Sequence, residues 1–313
     1  MTSRLVSVVM PTHERPALLD RAARSVLDQA GVEVELVVVD DASADDTPGA
    51  TARLAEDPRV VVVRNERSLG PSGARNAGIA RARGDFLAFV DDDDAVLPGA
   101  LARLVGVLEA DPGLGAVTPW YRVVHETTGR TVEFRGPVGY GAEQLLWFNF
   151  VGIPFVVLKR GAFADDVRFD PALPVSEDWD VWLRCAQERP FAVVPESLYS
   201  YHQHGGARVT KVAADVRTGF GAFLEKHRSE MTPACRTYHE AVIASHDGGR
   251  SAVSRVLASA GRHAPVAAAL AGTVLGAGYA ASAIGTRRGD PGLPSRVMYR
   301  LLTSPARHPV GSR

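Results

Sequence analysis

The chain has 313 residues, 46% of them hydrophobic, with 30 Gly, 20 Pro, two Cys and a formal net charge of −1. That is an ordinary globular composition, enough for one large domain plus an appendage. Cys185 and Cys235 give neither a metal-binding spacing nor a disulfide framework, which points to a reducing cytosol, and no aromatic-interleaved basic patch argues for nucleic acid.

Leu5 to Met10 reads as a strand ended by Pro11-Thr12-His13-Glu14-Arg15. Its apolar run is too short for a signal peptide, and Glu14 follows it closely. Pro16 suits the first turn of a helix running to about Ala30. Val34 to Val39 is a second strand, ended by Asp40-Asp41-Ala42-Ser43. A helix from about Thr47 to Glu56 leads into the strand Val60 to Val63. Gly70-Pro71-Ser72-Gly73 opens another helix, which Gly84 closes. The next strand, Phe86 to Val90, is five apolar residues bounded by Gly84-Asp85 and by acid, as expected of a buried strand in a parallel sheet. The order βαβαβαβ predicts a doubly wound, mainly parallel, Rossmann-like α/β sheet.

A helix is expected from Pro98 to Ala110, then a strand from Gly115 to Thr118. Alternation from Trp120 to Phe134 around Thr127-Thr128-Gly129 suggests a hairpin. Ala142 to Phe150 reads as helix and Phe155 to Leu158 as strand. Ser176 to Gln187 reads as a helix with Ser176 as N-cap and Trp179, Trp182 and Leu183 as its apolar stripe. Phe191 to Val194 and Leu198 to Tyr201 read as two short strands, and everything beyond about Thr210 reads as Ala-rich helix. Residues 1–200 hold 20 Lys+Arg against 30 Asp+Glu, whereas residues 201–313 hold 15 against 6. A basic tail of that kind faces an anionic partner. Within it, residues 264–286 carry no charged side chain, and Val266, Leu270 and Val274 recur at helical spacing; a packed or interfacial helix fits better than a membrane span.

Asp91-Asp92-Asp93-Asp94 closes the buried strand. Burying four unpaired carboxylates is too costly for packing to explain. Two readings stand: a solvated acidic turn, or a divalent metal site that gains little from burial. Asp91 and Asp93 lie two apart, as in a D-x-D site, and oxygen ligands suit Mg²⁺ or Mn²⁺. Ligands of open α/β sheets gather at the carboxyl ends of strands, where these acids fall. Other phosphate and metal motifs are excluded. Gly70, Gly73 and Gly78 do not spell G-x-G-x-x-G, and Ile79 stands where a Walker lysine must be. Counted from Asp91, Val96 replaces the obligatory Gly of an EF-hand and Ala102 its bidentate Glu.

Pro11-Thr12-His13-Glu14-Arg15, Val39-Asp40-Asp41-Ala42-Ser43, Ala74-Arg75-Asn76-Ala77-Gly78, the four acids, Ser176-Glu177-Asp178-Trp179 and Tyr201-His202-Gln203-His204-Gly205-Gly206 follow in this order. As a set they resemble the family 2 glycosyltransferases, inverting enzymes with the GT-A fold, over about residues 5 to 206. The resemblance implies a GT-A domain over residues 1–209, with a nucleotide half (1–95) and an acceptor half (96–209), and leaves a helical region at 210–313 uncovered. It implies a metal-dependent transfer of a sugar from a nucleotide-sugar donor, UDP-linked by family association, to a carbohydrate, lipid-linked or small-molecule hydroxyl.

Residue by residue, the resemblance assigns the donor to Pro11, Thr12, Glu14, Asp40, Asp41, Arg75 and Asp92. A carboxylate at a strand end can accept from a base N–H or a ribose hydroxyl. Taken singly, Asp40 and Asp41 read equally as turn and cap residues. Asp91, Asp93 and His204 match the metal site, and Asp178 matches the second acid of the family's E-D motif, the candidate general base. At a helix start, N–H dipoles favour its ionised form. Trp120, Tyr121 or Trp147 could stack on an acceptor sugar. The rival readings are a sugar-phosphate nucleotidyltransferase, whose Gly-rich, Lys/Arg-bearing loop Pro11 to Arg15 lacks, and a non-catalytic nucleotide-sugar-binding protein, expected to lose Asp178 or the D-x-D. The expected place of work is the cytoplasm, with peripheral contact at the inner face of the membrane through the C-terminal region.

Overall fold

Buried strands alternating with amphipathic helices organise the first third of the chain. In a computed structural model that describes residues 4–135, 139–149, 151, 155–164, 167–204 and 213–244, β1 (Leu5–Thr12), α1 (Pro16–Leu27), β2 (Glu33–Asp40), α2 (Thr47–Leu54), β3 (Val60–Arg64), α3 (Gly70–Arg81) and β4 (Phe86–Phe89) follow in the expected order. β3, β2, β1 and β4 pair in parallel. The sequence of β2 explains the layering. Leu36 and Val38 join the core that holds Leu19, Ala22, Ala23 and Val26 of α1, while Val37 and Val39 pack with Ala74 of α3 on the opposite face. A strand that is apolar at consecutive positions needs cover on both sides, and the helices provide it. α3 lies so close that a Cβ on Gly78 would collide with Val9 and press on Val39 Cγ2 at 3.1 Å. Only glycine fits there.

The chain continues through β5 (Ala95–Val96), α4 (Ala100–Ala110), β6 (Ala116–His125), β7 (Arg130–Phe134), β8 (Gly139–Tyr140), α5 (Ala142–Trp147), β9 (Val157–Lys159), α6 (Glu177–Glu188), β10 (Phe191–Gln203) and α7 (Ala213–His227). Residues 233–244 are also helical. The strands form one sheet in the order β3-β2-β1-β4-β9-β6-β10-β5, with β7 on β6 and β8 on β10. β9 runs antiparallel to both β4 and β6 and so joins the two halves.

The helix expected over Ala142 to Phe150 ends at Trp147, where Phe148 turns extended, and the short strand β8 precedes it unforeseen; three further differences bear on the site. β6 does not stop at Thr118; it runs through Pro119, which stands opposite Val194 of β10 and, on its other edge, between the residues paired to β9 and those paired to β7. The two short strands after α6 are one strand, β10, whose register on β6 shifts between Val194 and Ser197 and again between Ser197 and Tyr199. Such bulges bend a strand and re-aim its side chains. Third, β5, a two-residue strand directly after the acids, pairs with Tyr199 and Ser200 of β10. Together these features carry the end of β10 back to the carboxyl ends of β1 and β4. The expected helix of residues 264–286 lies outside the described residues, and no helix among those described is long and apolar enough to cross a membrane.

Candidate active site

The four acids do not form a solvated turn: Asp92, Asp93 and Asp94 are buried and Asp91 is half-buried. The cost is met by partners drawn from four elements. Asp92 accepts from Thr12 Oγ1 at 2.7 Å and from Arg15 Nη1 at 3.0 Å, which ties it to the loop after β1. Asp93 Oδ2 takes Arg15 Nη1 at 3.2 Å and lies 2.9 Å from His204 Nε2. Asp94 accepts from Tyr199 Oη and from the His202 amide, both at 2.8 Å, an arrangement that the bulged β10 makes possible. Asp91 takes Arg75 Nη2 at 2.9 Å.

These cations do not neutralise the cluster. Burial pushes the Asp92 carboxyl up to about 6 despite Arg15 and Thr12. Burial, with the charges of Asp91 and Asp93, holds the Asp94 carboxyl well above the usual carboxylate range, and burial raises Asp91 likewise. Asp91, Asp93 and Asp94 each bring an oxygen within 4.8 Å of the others. An excess of negative charge on converging oxygen ligands fits a divalent cation.

Arg75 links this cluster to the E-D motif. Its guanidinium is buried, gives Nη1 to Glu177 Oε1 at 2.8 Å and Nη2 to Asp91, and lies 5.2 Å from the centre of the Phe169 ring. Asn76, the next residue, exchanges two hydrogen bonds with the Phe169 backbone and fixes that ring under the arginine. Asp178 opens α6 beside this pair. The helix dipole does not set its ionisation: burial, with the charge of Glu177, pushes its carboxyl up to about 7 against the pull of Arg75. Ser176 occupies the N-cap, as expected, but in a left-handed backbone (φ +68°) and without a side-chain capping bond. Instead Asp178 Oδ1 accepts from the Trp179 amide at 2.7 Å, and Glu177, Asp178 and Asp180 together oppose the dipole.

The donor residues expected from β1 and β2 sit at adjacent strand ends, where Thr12 pairs with Asp40. Their carboxylates point into the protein. Asp40 accepts from the Ser43 amide at 2.9 Å and from Arg64. Asp41 accepts from Asn65 Nδ2, Ser68 Oγ and the amides of Leu69 and Gly70, at 2.7 to 3.1 Å, and so anchors the start of α3. Those bonds hold its carboxyl below the usual range although burial alone would raise it. Pro11 is half-buried and Glu14 exposed, with the Glu14 amide on Ser43 Oγ at 2.9 Å. Among the described residues, the non-glycine residues at positive φ are Glu14, Ala42 and Ser176, which follow β1, follow β2 and precede α6 respectively. Backbone strain concentrates at functional sites.

Trp179 and Trp182 are core, as expected. Tyr121 is buried in a stack on Phe134 and Trp147 is buried beside Tyr238, so neither offers an open face; Trp120 is half-buried with Arg135 over its ring. Sequence reasoning missed Asp94, which alternate spacing passed over, and Arg15 and Glu177, which stood in the quoted motifs without a role. Tyr199 gave no sequence signal, because its part depends on the β10 bulge.

Residues 7–157 match the family described as Glycosyl transferase family 2. The Succinoglycan biosynthesis protein ExoO of Rhizobium meliloti is 33% identical over 219 residues, 64% of this chain and 62% of that protein. The GalNAc(5)-diNAcBac-PP-undecaprenol beta-1,3-glucosyltransferase of Campylobacter jejuni is 39% identical over 196 residues, 60% of this chain and 62% of its own length. The match thus spans less than two thirds of either relative. Among solved structures, S. aureus TarS in complex with UDP-GlcNAc superimposes with a TM-score of 0.62 at 18% identity, covering 96% of this chain and 92% of that one. Mannosyltransferase PcManGT of Pyrobaculum calidifontis, in complex with GDP-Man and Mn²⁺, gives 0.57 at 21%, covering 96% and 85%. Both likenesses concern the fold, which is the GT-A arrangement. The chain belongs to glycosyl transferase family 2.

Proposed function

We propose that the protein is a metal-dependent, inverting glycosyltransferase that moves a sugar from a nucleotide-sugar donor, UDP-linked, to a hydroxyl acceptor by single displacement. The observation that carries this reading is one cleft in which a carboxylate set suited to a divalent cation and a separate carboxyl poised near neutrality flank the same buried arginine. Mg²⁺ or Mn²⁺, held by Asp91, Asp93 and His204, would offset the charge of the donor diphosphate and of the departing nucleoside diphosphate. Pro11, Thr12, Glu14, Asp40, Asp41, Arg75 and Asp92 form the donor side of the cleft. Asp178 is the general base. Its Oδ1 is held by the Trp179 amide, which leaves Oδ2 to take the proton of the acceptor hydroxyl as that oxygen attacks the anomeric carbon. In this reading residues 1–95 form the donor half, 96–209 the acceptor half and 210–313 a helical extension.

Incubation with nucleotide sugars and Mn²⁺ tests the reading, with release of nucleoside diphosphate as the signal. Asp93→Ala should abolish metal-dependent release; full activity of that variant, or undiminished turnover in EDTA, refutes the metal role. An α-linked donor should give a β-linked product, read from the anomeric proton by NMR. The acceptor class we favour is a lipid-linked hydroxyl at the cytoplasmic face of the membrane. The name of the Campylobacter relative supports that choice, as does the excess of 15 basic over 6 acidic residues in positions 201–313. Near an anionic surface each such cation contributes about 1 kcal/mol. The protein should therefore float with anionic vesicles at low salt, and complete retention in the soluble fraction counts against peripheral contact.

A further inference from the structure

Asp180, two residues beyond the proposed base, is wholly buried, yet it meets two cations and a histidine ring. It accepts from Arg184 Nε at 3.0 Å on its own helix, and from Lys226 Nζ at 2.9 Å and His227 Nε2 at 2.8 Å on α7. The other ring nitrogen of His227, itself buried, lies 2.8 Å from Glu230 Oε1, and Lys226 also reaches Asp170 at 2.6 Å. The rest of the same α7 face repeats the pattern. Phe223 stacks on Trp179 with ring centres 4.0 Å apart, and Phe220 meets the Trp179 edge at 5.6 Å. One turn earlier, α7 backbone presses on the segment that leads into α6: a Cβ on Gly219 would sit 2.6 Å from Val175 Cβ and 2.8 Å from its carbonyl oxygen. Gly219, Phe220, Phe223, Lys226 and His227 are spaced to share one face. Every contact that α7 makes here with earlier elements falls on residues 175–180 or on Asp170. On the far side, Trp179 Nε1 donates to the Leu145 carbonyl of α5 at 2.6 Å.

We propose that α7 is a clamp that sets the position of Asp178, and that His227 is its central positioning residue, acting through Asp180. This rests on the assignment of Asp178 as the base. A buried carboxylate with two cations and a histidine ring as partners is costly to leave unpaired, so loss of one partner shifts the group rather than merely weakening it. Asp180 lies half a turn along α6 from Asp178, and α6 is rigid on that scale. A shift at Asp180 therefore displaces the base. The acidic cluster, Thr12 and Arg15 belong to other elements and keep their geometry.

Three variants test the clamp. In His227→Ala, kcat for transfer should fall about 10- to 100-fold, the loss expected from sub-ångström to ångström misplacement of a catalytic group. Affinity for nucleoside diphosphate with Mn²⁺ should change by less than about twofold. His227→Gln keeps an N–H within reach of Asp180 and should recover most of kcat. If the alanine variant does not fold, Lys226→Met carries the same test, since Lys226 is partly exposed. Backbone hydrogen exchange, read without any turnover, should rise at residues 177–180 in the alanine or methionine variant and stay unchanged in β1 and α3. A kcat loss matched by an equal loss of nucleotide binding, absence of rescue by Gln, or unchanged exchange at 177–180 overturns the clamp. Wild-type protein inactive toward every nucleotide sugar overturns the base assignment instead, and the exchange result still judges the contact.

Discussion

Asp178 is held between opposing influences whose balance fixes its pH behaviour. Burial comes first and the charge of Glu177 adds to it, while Arg75 and the Trp179 amide pull the other way, and the carboxyl settles at about 7. A general base acts in its ionised form, so the transfer rate should rise with pH through about 7 and level off above it. The Glu177→Gln variant removes the like charge but keeps the shape, and should move that rising limb to lower pH. Asp178→Asn cannot accept the proton, so transfer should fall by about 10²–10⁴-fold. Nucleoside diphosphate and metal should bind this variant as they bind the wild type. Calorimetric titration separates the two cases: lost binding makes Asp178 a donor-site residue, and a flat pH profile in the wild type removes it as the base.

α3 is the element on which the cleft depends, since it carries Arg75 on one side and lies on β1 and β2 through Gly78. Gly78→Ala overpacks the contact with Val9 and should destabilise by about 1–3 kcal/mol, read as a lower urea midpoint. Val9→Ala in the same chain should return part of that loss, because the two side chains compete for one space. Additive losses would mean that α3 moves away bodily. How legible such elements were depended on how local their cause is. Strands β1 to β4 were readable because short, mostly apolar runs bounded by polar and turn-forming residues are too short for helices and recur between helical stretches. Asp91, Asp93, Arg75 and Asp178 could be singled out because each sits in a short motif, the two acids just after β4, Arg75 within α3 and Asp178 in the first turn of α6. The span of β10, the pairing of β5 and the bonds of Asp94 to Tyr199 and His202 were not. They arise from two register shifts and from contacts more than 100 residues apart, which leave no local pattern. Burial of the acids was misjudged for the same reason: the partners that make it tolerable, Arg15, His204 and Tyr199, come from the loop after β1 and from the far end of β10.

Over the whole molecule, the buried carboxyls make stability, pH and metal one linked quantity. Asp92 at about 6 and Asp178 at about 7 lie above the unfolded value near 4, and Asp91 and Asp94 are raised in the same direction. Their contribution to stability is therefore complete below about pH 4 and is lost as pH rises through 6 to 7. Two other groups act oppositely. Burial alone would raise Asp180, but His227, Lys226 and Arg184 bring it to about 2, so its contribution is present above about pH 4 and lost on acidification toward 2. Burial lowers the His239 ring to about 4, so its contribution is complete above about pH 6.5 and lost as pH falls toward 4. The melting temperature of the metal-free protein sums all of these and isolates none. The shift produced by Mn²⁺ isolates the acidic cluster, because a cation there competes with the protons that the cluster holds. The lower the pH, the more of those protons the cation must displace, because burial raises Asp91, Asp92 and Asp94 alike. The Mn²⁺-induced rise in melting temperature should therefore be distinctly larger at pH 8 than at pH 5.5, and should vanish at both in Asp93→Ala. Equal shifts at the two pH values would place the ion away from Asp91, Asp93 and Asp94.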